Sequence, residues 1–333
     1  MAWTVEDIPT DGKQWLLHTA ASGHGTTWAF GITAGQGRPF GTLVYRRVDD
    51  GWQRVDVPVI GRANRAVVLS PDEVWIVGDG TSMHGVGDVW REVPTAELKD
   101  STGQLFGLVA FGSDLWTAGY APHANHETGR GTVQRWDGTQ WTDQELPGVA
   151  PMWGLAGLGG VAADDLWAVG TVHGEHGPAV AVHHDGAGWH RTDVPLPGDG
   201  SGTLKDVWAL TSDDVWASGY WQAADRPGVR LPLLVHWDGS AWSIGDVPAD
   251  TGQIGQLVAT DDGLYGVGYT GGSPYVLCWD GAVWRSHPAP PSPEGARHCT
   301  LHGAAVLPDG RLLVVGATND SARSGQPYAA VRS

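Results

Sequence analysis

One short phrase recurs along this chain of 333 residues, and its recurrence constrains the fold more than any other feature. Aligned on its aromatic residue, it reads "TTWAFGI" at Trp28, "DEVWIVG" at Trp75, "SDLWTAG" at Trp116, "DDLWAVG" at Trp167, "DDVWASG" at Trp216, "DGLYGVG" at Tyr265 and "GRLLVVG" at Leu313. These seven copies stand 41 to 51 residues apart. A second phrase follows each of the first six, as in "WDGTQWTDQELP" from Trp136 and "WDGSAWSIGDVP" from Trp237. The seventh copy lacks it. The missing half stands at the other end of the chain, where "AWTVEDIP" from Ala2 has the same placement of Trp and Pro.

Each copy reads as four strands. In the fifth, "LKDVWAL" is followed by a tight Asp-Asp turn, then "VWASGYW", "LLVHW" and "AWSIGDV", the last two joined at Asp238 and Gly239. Glycine follows Asp there because the turn needs a residue at ease with positive φ, and the recurring Pro ends the ladder. The composition agrees: 50 Gly, 21 Pro and 19 Trp against three Met and four Phe suit short strands and tight turns, not amphipathic helices. Four-stranded units at this period, repeated seven times, predict an all-β seven-bladed β-propeller with antiparallel blades, a single domain over residues 1–333. The last blade is expected to take three strands from the C-terminus and its fourth from "AWTVEDIP".

In its Asp-Gly-x-x-Trp turns, as at Asp137, Gly138 and Trp141, the chain resembles bacterial propellers with tryptophan-rich repeats. More distantly it is similar to the Asp-box propellers of the sialidase kind, whose order is Asp-x-Gly-x-Thr-Trp. The Trp-Asp of "RWDG", "HWDG" and "CWDG" resembles the WD-repeat family, without that family's upstream Gly-His pair. These resemblances imply the propeller fold and carry over no catalytic residue.

A formal charge of −17 argues against nucleic acid and anionic membrane surfaces, and no apolar run is long enough to span a bilayer. The N-terminus lacks a basic leader with an apolar core, and Cys278 and Cys299 are too few for a disulfide framework, so the expected compartment is the cytoplasm.

Residues present in most copies have a scaffold explanation first, so function is sought where the copies differ. The connections between first and second strands are short and uniform, whereas those between second and third strands, and between blades, vary on the opposite side. Counting ten residues back from each alignment residue gives His18, Arg65, Phe106, Gly157, Asp206, Gly255 and Gly303, with Asn64, Gln104, Trp153, Lys205, Gln253, Gln256 and His302 beside them. This set is expected at a channel mouth, with His18, His302 and Asp206 as acid–base groups and Arg65 or Lys205 on an anion. Tyr120, Tyr220, Trp221 and Tyr269 are candidates for stacking on a ligand. His298 alternates with Thr300 and His302, while Cys299 points the other way and is expected to be buried and inert. The loops "APHANHETGRG" and "VHGEHGPA" offer His123, His126, Glu127, His173, Glu175 and His176 to a divalent metal.

Three functional expectations follow. The first is a small-molecule-binding propeller, either a binding protein or a lyase, isomerase, cyclase or hydrolase working by acid–base chemistry, since no redox-cofactor motif is present. The second is a platform for protein or glycan partners. The third is a divalent-metal enzyme at the histidine-rich loops.

Overall fold

The structure, a computed structural model, describes residues 2–10, 14–34, 41–58, 61–96, 103–122, 129–147, 153–172, 177–321 and 324–333. They form 28 strands in seven antiparallel sheets of four, a seven-bladed β-propeller as the repeats require. Six sheets run first to fourth strand in chain order. In the seventh, the N-terminal strand Trp3–Glu6 pairs with the C-terminal strand Ser324–Arg332, with Trp3 opposite Arg332 and Glu6 opposite Ala329.

The chain divides into two compact units, residues 1–92 with 258–333 and residues 93–257. In the first unit, the opening strand of blade one (Gln14–Gly23) packs between those of blade seven (His298–Val306) and blade two (Ala63–Ser70). In the second, the opening strands of blades three (Gln104–Phe111), four (Trp153–Ala162) and five (Gly200–Thr211) pack in succession.

The repeated tryptophans fill the space between neighbouring sheets. Trp28, Trp75, Trp116, Trp167 and Trp216 are all buried on second strands. A fourth-strand tryptophan of the next blade meets several of them edge-on: Trp90 on Trp28 at 5.8 Å, Trp189 on Trp116 at 6.2 Å and Trp242 on Trp167 at 5.0 Å between ring centroids. The other face of each ring is covered from its own sheet. His84 stacks on Trp75 at 4.3 Å, His183 on Trp167 at 4.2 Å and His236 on Trp216 at 4.4 Å, while Arg46 and Arg135 lie over Trp28 and Trp116.

These covering groups are the cross-strand partners of the tryptophans, and an acid two residues before the tryptophan holds most of them. Glu73, Asp165 and Asp214 bond His84, His183 and His236 at 2.7–2.8 Å, and Asp114 bonds Arg135 at 2.8 Å. The second acid of the "DD" pair therefore belongs to a stacked triad as well as to a turn. At the same end of the sheet, in the turn between third and fourth strands, Asp137, Asp185, Asp238 and Asp280 each accept two backbone N–H groups, and the following glycine takes a positive φ, 98° at Gly138.

The closing strand is held by more than its ladder. Glu6 accepts from Arg47 Nη2 and from Trp52 Nε1, both at 2.7 Å, in a nearly buried group that joins blade seven to blade one. Arg332 lies over Tyr265 and bonds Asp262 at 2.6 Å, joining blade seven to blade six.

If the stacked tryptophans carry the packing between blades, Trp167→Ala should lower unfolding free energy by about 3–5 kcal/mol. His183→Ala, which uncovers the ring without emptying the wedge, should cost less. Urea unfolding followed by tryptophan fluorescence measures both, and equal losses would show that the covering group and not the ring is the main contributor.

Candidate functional site

The opening strands carry a bulge at one fixed ladder position. In blades one to five and seven it falls between Leu17 and Thr19, Ala63 and Arg65, Leu105 and Gly107, Leu155 and Gly157, Leu204 and Asp206, and Leu301 and Gly303. The bulged residues are therefore His18, Asn64, Phe106, Ala156, Lys205 and His302. Each lies three residues before the partner of its alignment residue, as Ala21 pairs with Trp28 and Ala305 with Leu313. An extra residue in one strand has no ladder partner and is turned out of the pleat. All six are half-buried and chemically different.

The residue after each bulge packs on the next blade. A Cβ on Gly107 would meet Leu158, one on Gly157 would meet the Asp206 backbone, and one on Gly303 would meet the Thr19 backbone, each within 2.7 Å. Asp206, expected as an acid–base group, occupies this position. It is 3% exposed and its Oδ2 accepts from Leu257 N at 2.9 Å. Its carboxylate serves the join between blades five and six. Gln256 is likewise buried, and Arg65 holds the corresponding position of blade two, half-buried.

In the first unit, the structure brings His18 and His302 together, with ring centroids 5.9 Å apart. Tyr269, from the second strand of blade six, stands edge-on to His302 at 6.4 Å, and Thr300 Oγ1 bonds His302 Nε2 at 3.0 Å. His18 Nε2 is buried with no hydrogen-bond partner. Two residues beyond the sequence candidates join this group. Arg62, immediately before the opening strand of blade two, acts electrostatically on His18 and has a buried, unpartnered Nε. Asp79, just past the second strand of that blade, accepts from Arg62 N at 2.9 Å through Oδ2 and leaves Oδ1 buried and unpartnered. Asn64 lies two residues on from Arg62, and His298 is exposed at the start of blade seven's opening strand.

In the second unit, Tyr220 is 1% exposed and covered by two cations, with Arg230 at 4.4 Å and Lys205 at 5.7 Å from its ring centroid. It therefore offers no free stacking face. Arg230 also bonds Gln253 Oε1 at 3.1 Å. Gln104 pairs across the ladder with Tyr120, both half-buried, beside half-buried Phe106. Trp221 lines a groove of about 460 Å³ with Pro197, Arg226, Ile244 and Asp246. Trp153 begins the opening strand of blade four.

The metal candidates His123, His126, Glu127, His173, Glu175 and His176 lie outside the described residues. Among the described residues, no group of three or more His, Cys, Asp or Glu is placed to hold a metal ion.

No family model and no curated protein matches the chain. Solved structures match by fold. YCF48 bound to D1 peptide superposes with a TM-score of 0.64 at 14% identity, over 99% of this chain and 96% of that one. YCF48 from Cyanidioschyzon merolae gives 0.59 at 13%, over 99% and 98%, and YjhT gives 0.53 at 11%, over 85% and 99%. At such identities the likeness is one of fold and nothing narrower.

The protonation of the histidine pair follows from its surroundings. Burial pushes His18 down to about 3, helped by His302 and Arg62, and burial alone pushes His302 down to about 4, from 6.5 in each case. Both rings are neutral at physiological pH. Burial also raises the Cys299 thiol to about 12, which leaves it unreactive.

Both lowered values make the unfolded chain bind protons that the native state refuses. Stability contributed by neutral His18 and His302 is complete above about pH 6.5 and falls as pH drops from there toward 4 and then 3. The double variant His18→Gln with His302→Gln should flatten the stability profile between pH 6.5 and 5 relative to the parent, as read by urea midpoints. Parallel profiles would mean that neither imidazole is held neutral by the fold.

Proposed function

We propose that the chain is a protein-binding propeller that takes a polypeptide segment against the side chains presented by the opening-strand bulges of its first unit. The observation that carries this reading is the bulge itself. One ladder position, fixed in six blades, presents His18, Asn64, Phe106, Ala156, Lys205 and His302, while the next position is tied to packing. A rigid scaffold bearing a varied set of half-buried groups suits recognition of a chain of mixed side chains. The solved YCF48 propeller bound to D1 peptide supports it by showing this fold with a peptide in place. In this reading the contact is made by the first unit's group, His302, His18 and Asn64.

The acid–base reading has less behind it, because an imidazole that takes up a proton only near pH 3 or 4 is a weak base at neutral pH. Here the rings serve as neutral hydrogen-bonding surface.

Fluorescence anisotropy with a panel of short, labelled, unstructured peptides tests the proposal. A subset should bind with Kd on the order of micromolar, and His302→Ala or Asn64→Ala should weaken it by at least about tenfold with the melting temperature held. Binding of no peptide, alongside thermal stabilisation by a small metabolite, would replace this reading with the small-molecule one.

A further inference from the structure

Among the described buried polar side-chain atoms of the first unit that have no partner, five are tryptophan Nε1 atoms of the wedges, and the other three belong to one neighbourhood: His18 Nε2, Arg62 Nε and Asp79 Oδ1. Buried polar groups are nearly always satisfied, so each such atom calls for a missing partner. We infer that His18 and Arg62 form a carboxylate-binding site for the bound polypeptide, engaging either an acidic side chain or a C-terminus, with His302 as the positioning residue. The inference rests on the reading that this propeller takes a polypeptide, and it names the group that is recognised.

The chemistry selects the ligand. Arg62 supplies a permanent positive charge and an Nε donor, and His18 supplies a neutral ring nitrogen. A cation would be repelled by Arg62, and a neutral amide would forgo the charge-assisted bond to its Nε. A planar carboxylate has one oxygen for each of the two nitrogens, and a charge-assisted bond to Arg62 is the stronger of the pair. A tetrahedral dianion fits less well. Asp79 already sits against Arg62, bonded to its backbone at 2.9 Å with Oδ1 free, and would repel a second negative charge.

His302 does not need to touch the ligand to matter. Its ring stands 5.9 Å from that of His18, and the bond from Thr300 Oγ1 to its Nε2 fixes its tilt. Tyr269 packs on its other side. Both imidazoles come from bulges at the same ladder position of adjacent blades, so the same backbone feature aims each of them.

The test uses the full chain labelled with ¹⁵N-histidine, with the His18 resonance assigned by its loss in His18→Gln. The probes are N-acetylglycine for a C-terminus, N-acetylglutamic acid α-amide for an acidic side chain, N-acetylglycinamide as the neutral control, and inorganic phosphate. At least one carboxylate probe should shift His18 saturably, and the tighter of the two identifies the source. The neutral control should not shift it. Arg62→Met should weaken that binding by at least about tenfold, and Arg62→Lys, which keeps the charge but lacks Nε, should weaken it less, both at unchanged melting temperature. A control that shifts His18 as well as the carboxylates do, a phosphate that binds tighter than both, or full binding in Arg62→Met would overturn the inference. Peptide binding that persists undiminished in Arg62→Met removes this site while leaving the peptide-binding reading in place. Failure of every peptide with the unmodified chain removes that reading itself.

Discussion

The rest of this structure depends on how the space between successive sheets is filled. Sheets set side by side diverge, and the gap takes large, flat side chains from both walls. Trp28 with Trp90, Trp116 with Trp189, and Trp167 with Trp242 show the pattern, a second-strand ring met edge-on by a fourth-strand ring of the next blade. A ring so placed has one face toward its own third strand, where His or Arg covers it and, in blades two to five, an acid fixes the cover. The exceptions obey the same rule. In blade six the cross-strand partner of Tyr265 is Cys278, too small to cover a ring, and Arg332 reaches over from blade seven. In blade seven the aromatic ring is replaced by Leu313, opposite Val331, and no cation is needed.

Because the wedges fix the second strand, they also fix the register of the first. The bulge falls at the same distance from each alignment residue, and it divides neighbouring positions into two kinds. The position after the bulge faces the next blade at contact distance, and it is glycine in blades three, four and seven, Thr19 in blade one and Asp206 in blade five. A larger residue is accepted there only where its polar end is met, as the Asp206 carboxylate is by Leu257 N. The bulged position carries no such restriction. A histidine, an asparagine, a phenylalanine, an alanine and a lysine all occupy it without altering the ladder.

This division explains what was legible in the sequence. The copies, the four-strand unit and the closure by both termini were readable because tryptophan and Asp-Gly turns recur for packing reasons. The candidate site was readable only in part. Counting ten residues back from the alignment residue reaches the bulge in blades one and three, and so finds His18 and Phe106. In blades two, four and five a second bulge, at Leu69, Val161 and Leu210, adds one residue before the turn. In blade seven the Leu307–Arg311 turn adds it instead. The count then lands one place late, on Arg65, Gly157, Asp206 and Gly303, and in a strand one place is the opposite face. A bulge is a backbone feature that no residue type announces. Arg62 and Asp79 were missed for a related reason: the same positions carry Gln104 and Tyr120 in blade three and Thr203 and Tyr220 in blade five, so the repeat announces no charge there, and only the fold sets them beside a residue of blade one.

In the carboxylate site proposed for His18 and Arg62, a strongly acidic chain would hold a negatively charged group. With a formal charge of −17, the long-range field repels an acidic partner, but over more than about 8 Å at physiological salt that repulsion is largely screened. At contact the local charges decide. Arg62 is the fixed positive charge, and it is one reason His18 stays unprotonated, since a second positive charge beside it would be uncompensated. A bound carboxylate reverses that balance: it neutralises Arg62, and it favours the proton on His18 that the empty site refuses. Encounter is therefore not accelerated by the field of the protein, and discrimination falls to the bonds made after arrival. Selectivity in such an arrangement lies in the lifetime of the complex and not in the rate at which it forms.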